Sequence, residues 1–360
     1  MSILRVGLIG LGEVAQSIHL PTLADLRDRF AIAGVFDVSP SLMNLVTSRY
    51  AGVRAFDSAA SLMHAPDIDA VFILAPDELH AALLGQAIAA RKHILLEKPA
   101  CLTLREIDAL LPMLHGYDRT LFVAYMRRYA PAFLAAKQEM PPAAEITHAR
   151  IFDLITVGSQ IMRDTQQILY PRDIDPALIA AGRAQRDSLL REVVGTDAPA
   201  DLVRAYHGLL SLSSHHLSAM RELLGEPAGV LAAHRTNGGV NTAITFDYGH
   251  YACYYDALID DLGLFDAMIE VRTHTKRLRI VYDTPYIRNL PTRLEIAEHT
   301  PDGLRQRIIG PTYEDAFANE LKAFHAHVEH GTTPKTTLED ARKDLALYAS
   351  VIEKMKHAKA

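Results

Sequence analysis

Two short stretches hold residue types that could do chemistry. In "HILLEKPACL", residues 93–102, an apolar run ends on an acid, a base and a proline. Charged side chains are seldom set beside a core for packing alone. Lys98 is therefore either a solvated lysine in a strand-to-helix turn or a group placed to work on a ligand. In "VGLIGLGEVAQ", Gly10, Gly12, Glu13, Val14 and Ala15 spell G-x-G-x-x-A, the fingerprint of a dinucleotide-binding turn. There the first glycine permits the tight turn and the second admits a pyrophosphate, while the small third residue lets helix pack on strand. The amides at the helix N-terminus favour the phosphate charge.

The fingerprint is weak alone, because glycine-rich turns are common. It gains weight from Asp37, which ends the second apolar run about 20 positions after the motif. An acid there accepts hydrogen bonds from ribose hydroxyls and repels the extra phosphate of NADP. Val38 and Ser39 supply no arginine for such a phosphate, so the cofactor predicted is NAD.

The elements that must position these residues can be read from the hydrophobic pattern. Uninterrupted apolar runs predict strands at Leu4–Ile9, Ala31–Phe36, Ala70–Leu74, His93–Leu96 and Thr120–Ala124. Helical stretches lie between them near Val14–Leu26, Ser41–Tyr50, Leu79–Ala90 and Leu104–Leu114. Ser39 followed by Pro40 is a start signal for the second helix. Strands apolar on both faces, alternating with helices, imply a parallel sheet covered on both sides.

After about Tyr125 the pattern changes to alternation with β-branched and aromatic residues. "THARIFDLITV", "NTAITFDY", "HYACYYDALI", "DAMIEVRTH", "RLRIVYD" and "TRLEIAEHT" predict a large open, mainly antiparallel sheet. A helical, charge-balanced excursion from about Gly158 to Leu224 interrupts it, and helices at Tyr313–Glu329 and Leu338–Met355 close the chain. The fold class is α/β. An N-terminal Rossmann domain, a parallel doubly wound sheet over residues 1–124, precedes a C-terminal α+β domain over 125–360.

Bulk composition excludes several classes. The 360 residues are 49% hydrophobic and 22% charged, as in an ordinary globular chain. A net charge of -6 without a basic block argues against nucleic acid as the main partner. No apolar run approaches the roughly 20 residues needed to span a bilayer, and "MSILRVGLIGLG" lacks the layout of a signal peptide. Cys101 and Cys253 make neither a disulfide framework nor a zinc motif, so no metal is expected. The compartment predicted is a reducing cytoplasm.

At this point the sequence resembles the Gfo/Idh/MocA family of NAD(P)-dependent oxidoreductases. The resemblance is carried by "GLIGLGEVAQSIHLPTL", "AVFILAPDELH", "EKPAC" and "YMRRYAP", with a weaker match at "HHLSAMRELLG". It implies catalysis on sugars, cyclitols or related polyols. It makes Lys98 the catalytic lysine, with a cis Lys98–Pro99 bond. It places Ala75, Pro76 and His80 in the loop beside the nicotinamide ribose, and Glu97 and Arg128 near the cofactor. His215 falls at the family's active-site histidine, but the surrounding pattern departs: serines stand at 211, 213 and 218 where the family has aspartate, glycine and aspartate.

Oxidising an alcohol requires a base for the hydroxyl proton. A lysine near its ordinary pKa of about 10.4 is a donor, and burial beside a cationic ring would let Lys98 act as the base. His215 is the natural second proton carrier. Asp153, on the first strand of the second domain, could replace the missing carboxylate that orients it, or be an exposed strand residue. His216 lies about 100° round the helix from His215, so the two cannot face one ligand, and no functional role is expected for it. The histidines of "FHAHVEH" read as a solvated face.

Three functions fit. The first is an NAD-dependent dehydrogenase of a sugar, sugar derivative or cyclitol. The second is an NAD-dependent glycoside hydrolase acting by transient oxidation, which would accumulate no NADH. The third is a non-catalytic regulator that binds NAD and a sugar, against which the intact Glu97-Lys98-Pro99 argues. The family's face-to-face sheets imply a homodimer or homotetramer.

Overall fold

The computed structural model describes residues 2–156 and 158–357. They fall into two compact units. The first comprises residues up to Tyr125 together with Gln166–Val193 and Glu320–Leu345, and the second comprises Met126–Thr165, Val194–Asn319 and the chain from Ala346 onward. The point near 125 is thus where the chain first leaves the first unit, to which it twice returns.

The sheet of the first unit contains β1 (Leu4–Ile9), β2 (Phe30–Phe36), β3 (Arg54–Ala55), β4 (Ala70–Ile73), β5 (His93–Glu97) and β6 (Leu121–Ala124). Their order is β3-β2-β1-β4-β5-β6, with every pairing parallel. This is the doubly wound order, and its direction reverses between β1 and β4. Val6, Leu8, Val71, Phe72, Leu95 and Phe122 are completely buried, which is why these strands read as continuous apolar runs. Phe324, from the helix Ala316–His330, packs edge-on against Phe72 and Phe122 at 5.6 and 5.9 Å.

Helix starts follow local chemistry. Ser39 Oγ accepts from Leu42 N at 3.2 Å and Pro40 opens the helix Pro40–Arg49, a cap of about 1 kcal/mol. The first helix departs from the regular one expected. Residues Ala15–His19 form a widened π turn, closed by Leu20 N on Ala15 O, before the α-helix Leu20–Asp25. Pro21 has no N–H for the carbonyl four residues back and its ring crowds that carbonyl, so the preceding turn opens. The short β3 and the helix Ala59–His64, capped reciprocally by Ser58 and Ser61, were not foreseen.

The second unit holds an eight-stranded sheet. Its strands are β7 (His148–Thr156), β8 (Gly229–Thr236), β9 (Asn241–Asp247), β10 (Ala252–Asp260), β11 (Phe265–Arg272), β12 (Lys276–Tyr282), β13 (Thr292–Thr300) and β14 (Gly303–Thr312). The order is β14-β13-β12-β11-β7-β10-β9-β8, antiparallel except for the parallel pair β7–β10. The excursion contains helices Gly158–Thr165, Pro176–Val194, Ala200–Gly208 and Ser214–Leu224.

One expectation fails outright. His325 of "FHAHVEH" is 1% exposed, with Nε2 2.9 Å from the Ser2 carbonyl oxygen and its ring edge-on to Phe30. The helix turns that histidine inward beside Phe324, while His330 stays exposed.

Candidate active site

The glycine turn closes β1. Gly10 has φ +92°, and a Cβ there would lie 2.7 Å from the backbone of Leu74 and Ala75, so only glycine fits. A Cβ on Gly12 would meet nothing within 4 Å. That open ground is what the approach of a pyrophosphate needs. Glu13 and Val14 are half-buried at the opening of the helix, and Ala15 is buried against the sheet.

Asp37 directly follows β2 and fastens this turn. Its carboxylate accepts from Leu11 N at 2.7 Å and from Ser39 N at 2.8 Å. Burial raises its pKa, and the two amides oppose that rise. Asp37, Gly10, Ala75 and Pro76 line one wall of a cavity of about 630 Å³. The opposite wall holds Ile174 and Leu178 of the excursion, which sequence reasoning did not attach to the nucleotide turn.

At the end of β5, Glu97 Oε1 lies 2.7 Å from His19 Nε2, while Glu97 Oε2 accepts from Lys98 N at 3.1 Å. Burial pushes this carboxyl up, but the bond to His19 and the nearby charge of Lys98 outweigh it and hold it below its usual range. Lys98 is half-buried, and the Lys98–Pro99 peptide is cis. His80 joins two turns: its Nδ1 faces the Pro99 carbonyl oxygen at 2.7 Å and its Nε2 that of Ala75 at 2.8 Å. The loop 75–80 and the turn at Lys98 are thus held together by one buried ring. His19 was missed because its signal is only a histidine on an apolar helix, and the π turn that carries it inward is not readable from composition.

In the second unit the proposed carboxylate takes a different partner. Asp153 is completely buried, not an exposed strand residue, and its Oδ2 lies 3.0 Å from Nδ1 of His216 rather than against His215. Arg127 Nη1 donates to Asp153 Oδ1 at 3.2 Å and to His216 Nε2 at 2.9 Å, and Tyr255 OH donates to Asp153 Oδ2 at 3.4 Å. Position 216 faces inward on its helix, and position 215, one residue round, is half-buried. Burial and the Arg127 charge pull the His216 pKa down to about 4. Burial raises the Asp153 carboxyl, yet His216 and Arg127 together bring it below the usual range.

Arg128, expected near the cofactor, has a partner of its own in the second unit. It is buried, and its Nε donates to Glu222 Oε2 at 2.5 Å within the second unit. Two serines of the altered pattern bond within their own helical segment, Ser211 to the His207 carbonyl and Ser218 to that of His215, while Ser213 bonds to Tyr255 of β10. Among the described residues no group of three or more His, Cys, Asp or Glu could hold a metal ion. None of the described helices is long and apolar enough to cross a membrane.

The doubly wound sheet, the glycine turn and Asp37 define a dinucleotide-binding fold. Residues 4–125, about a third of the chain, match the GFO_IDH_MocA oxidoreductase family with its NAD-binding Rossmann fold. It is 26% identical to the inositol 2-dehydrogenase of Acidothermus cellulolyticus over 332 residues, covering 88% of this chain and 89% of the relative. It is 23% identical to the myo-inositol 2-dehydrogenase of Thermotoga maritima over 358 residues, 96% and 94% of the two chains. Among solved structures, the UDP-N-acetylglucosamine 3-dehydrogenase GnnA from Acidithiobacillus ferrooxidans aligns with TM-score 0.72 at 20% identity, covering 99% of both chains. A 3-ketoreductase from Actinomadura kijaniata, solved with TDP-benzene and NADP, aligns with TM-score 0.71 at 19% identity over 99% and 97%. At these identities the two structures establish a shared fold.

Proposed function

We propose that this enzyme moves a hydride between a hydroxyl of a sugar, sugar derivative or cyclitol and NAD, with Lys98 as its catalytic residue. The observation that carries the reading is the placement of Lys98. It stands at the carboxyl end of β5, in the sheet whose β1 ends in the glycine turn, and ligands of open α/β sheets bind beyond those strand ends. The names of the full-length relatives, both inositol dehydrogenases, support the substrate class.

Gly10 and Gly12 would hold NAD at its pyrophosphate and Asp37 at its ribose, and the bound cofactor would supply the hydride acceptor. The chain's own work is to orient the hydroxyl and move its proton. Lys98 binds the hydroxyl oxygen and takes the proton, and Glu97 and His80 fix the turn that presents it. His215, on the second unit, is the second proton carrier. Asp153 serves that unit indirectly, by keeping its interior in order around His216.

The test is turnover with NAD over a panel of inositols, free sugars, nucleotide sugars and glycosides. NADH accumulation with at least one polyol is expected, and loss of turnover by at least about a thousandfold in Lys98→Ala. NAD affinity should stay within about threefold, under 1 kcal/mol. Full activity in Lys98→Ala would refute the role of Lys98. Glycoside cleavage without NADH would replace net oxidation by a reaction that returns its hydride.

A further inference from the structure

We infer that residues 166–193 form the outer wall of the cofactor's adenosine site, and that Asp173 in this segment discriminates against a 2′-phosphate. The inference rests on the NAD-binding reading of the glycine turn and extends it to a part of the chain that no dinucleotide fingerprint contains.

Three observations carry it. The segment belongs to the first unit, although the chain on both sides of it belongs to the second. It is fastened there by specific bonds. The Gln16 side-chain amide pairs with the Leu169 backbone in both directions, Nε2 donating to O at 3.0 Å and Oε1 accepting from N at 2.9 Å. Gln185 Nε2 donates to the Glu78 carbonyl at 2.9 Å, and Gly182 approaches Glu78 so closely that a Cβ would sit 2.7 Å from Oε1.

The second observation is the cavity left beneath the segment. Its volume of about 630 Å³ is in the range of small-molecule sites. Val38 and Leu79 on the sheet side, and Leu178 and Ile179 on the segment, line it with exposures of 53%, 37%, 56% and 42%. Single exposed apolar residues need no explanation, but four around one concavity mark a binding surface. The cavity touches both Gly10 and Asp37, so its occupant is the flat, weakly polar base attached to the ribose that Asp37 holds.

The third observation concerns charge. Asp173 accepts from Ser39 Oγ at 2.6 Å, from Ser41 N at 2.8 Å and from Ser41 Oγ at 3.0 Å. These hydroxyls and this amide, at the start of the helix Pro40–Arg49, are the donors next to Asp37 that a 2′-phosphate would need. A carboxylate already uses them. Discrimination against NADP therefore rests on two acids, one just after β2 and one brought from more than a hundred residues away.

Calorimetric titration of the full chain with NAD and with NADP, joined to amide hydrogen exchange, tests the inference. In Asp173→Asn, which keeps the shape of the tether and removes its charge, NADP should bind at least about fivefold tighter while NAD changes less than about threefold. In Leu178→Ser/Ile179→Ser, both cofactors should weaken by about tenfold or more, with their ratio unchanged. NAD should slow exchange across 174–186 in the unaltered protein. If NAD binds without protecting 174–186, or if Asp173→Asn leaves the cofactor ratio unchanged, the inference is overturned and the NAD reading stands. If the unaltered chain binds no NAD, both fall together.

Discussion

His19 Nε2 and Glu97 Oε1 meet at 2.7 Å, joining the helix that opens after the glycine turn to the strand end that presents Lys98. Both groups are largely withdrawn from water, with side-chain exposures of 1% and 12%. In such surroundings a hydrogen bond fixes geometry more firmly than it would in solvent. This contact gives the pyrophosphate turn and the lysine a common support.

The first prediction concerns that support. His19→Ala should lower kcat by about 100-fold through misplacement of the Glu97–Lys98 turn, with NAD affinity within about threefold. His19→Gln should recover part of the loss, because an amide can still donate to Glu97. Stopped-flow kinetics with calorimetry would decide. An unchanged kcat in His19→Ala makes the contact purely structural.

The second prediction concerns the ribose. The intact protein should bind NAD more tightly than NADP, and Asp37→Ala should narrow the gap from both sides. The same substitution removes acceptors from Leu11 N and Ser39 N, so NAD itself should weaken by about tenfold. Fluorescence titration with each cofactor reads both effects. NADP binding the unaltered protein as tightly as NAD would sink the prediction.

The third prediction is a pH dependence in the second unit. His216 is held near 4, against about 6.5 when unfolded, so the unfolded chain binds the extra proton first as pH falls. Stability should therefore drop as pH is lowered from about 6.5 towards about 4, and His216→Gln should flatten that slope. Asp153, whose folded pKa is depressed, adds stability that is present above about 3.8 and disappears as pH falls through the folded value. Asp153→Asn leaves Arg127 without its buried counter-charge and should cost about 3–5 kcal/mol at neutral pH. Urea titrations at several pH values measure all three.

The fourth prediction is a homodimer or homotetramer. Tyr254 on β10 is 43% exposed and its ring lies tilted beside that of His148 of β7 at 5.3 Å, on the face opposite the buried Ile151 and Asp153. Arg150 lies over the Phe152 ring on that outer face at 3.9 Å. A face that sets aromatic rings beside paired charges, Arg272 with Glu270 and Arg293 with Glu295, is the surface expected to meet a second copy. Light scattering at micromolar concentration should give an oligomer, and Tyr254→Glu should shift it towards smaller particles. A monomer in the unaltered protein overturns this.

What the sequence made legible follows from how each element is buried. The inner strands of the first sheet are apolar on both faces, so β1 was readable to the residue. The exposed pair Arg54–Ala55 left no trace. The edge strands β8 and β14 were missed for a related reason. With a neighbour on one side only, they lack the alternation that marks β9 and β10. Lys98 and Asp37 were readable because each follows a strong strand. The partner of Asp153 was not, since which of two adjacent histidines faces inward depends on the phase of a helix that passes through a π turn at Leu209–Ser213. The docking of 166–193 rests on single anchors such as Gln16 and Asp173, more than a hundred residues from their partners, and no local pattern encodes such a pairing.

The first unit is stitched from three separate lengths of chain, and this limits how the protein can be taken apart. A fragment ending after β6 would keep the fingerprint and all six strands. It would lose Phe324 from between Phe72 and Phe122, and the Thr336 carbonyl that accepts from Val123 N. Such a fragment is an incomplete globule with raw apolar flank, prone to aggregate when expressed alone. Modular swapping of the nucleotide-binding half between relatives would fail for the same reason, unless the two returning segments travelled with it.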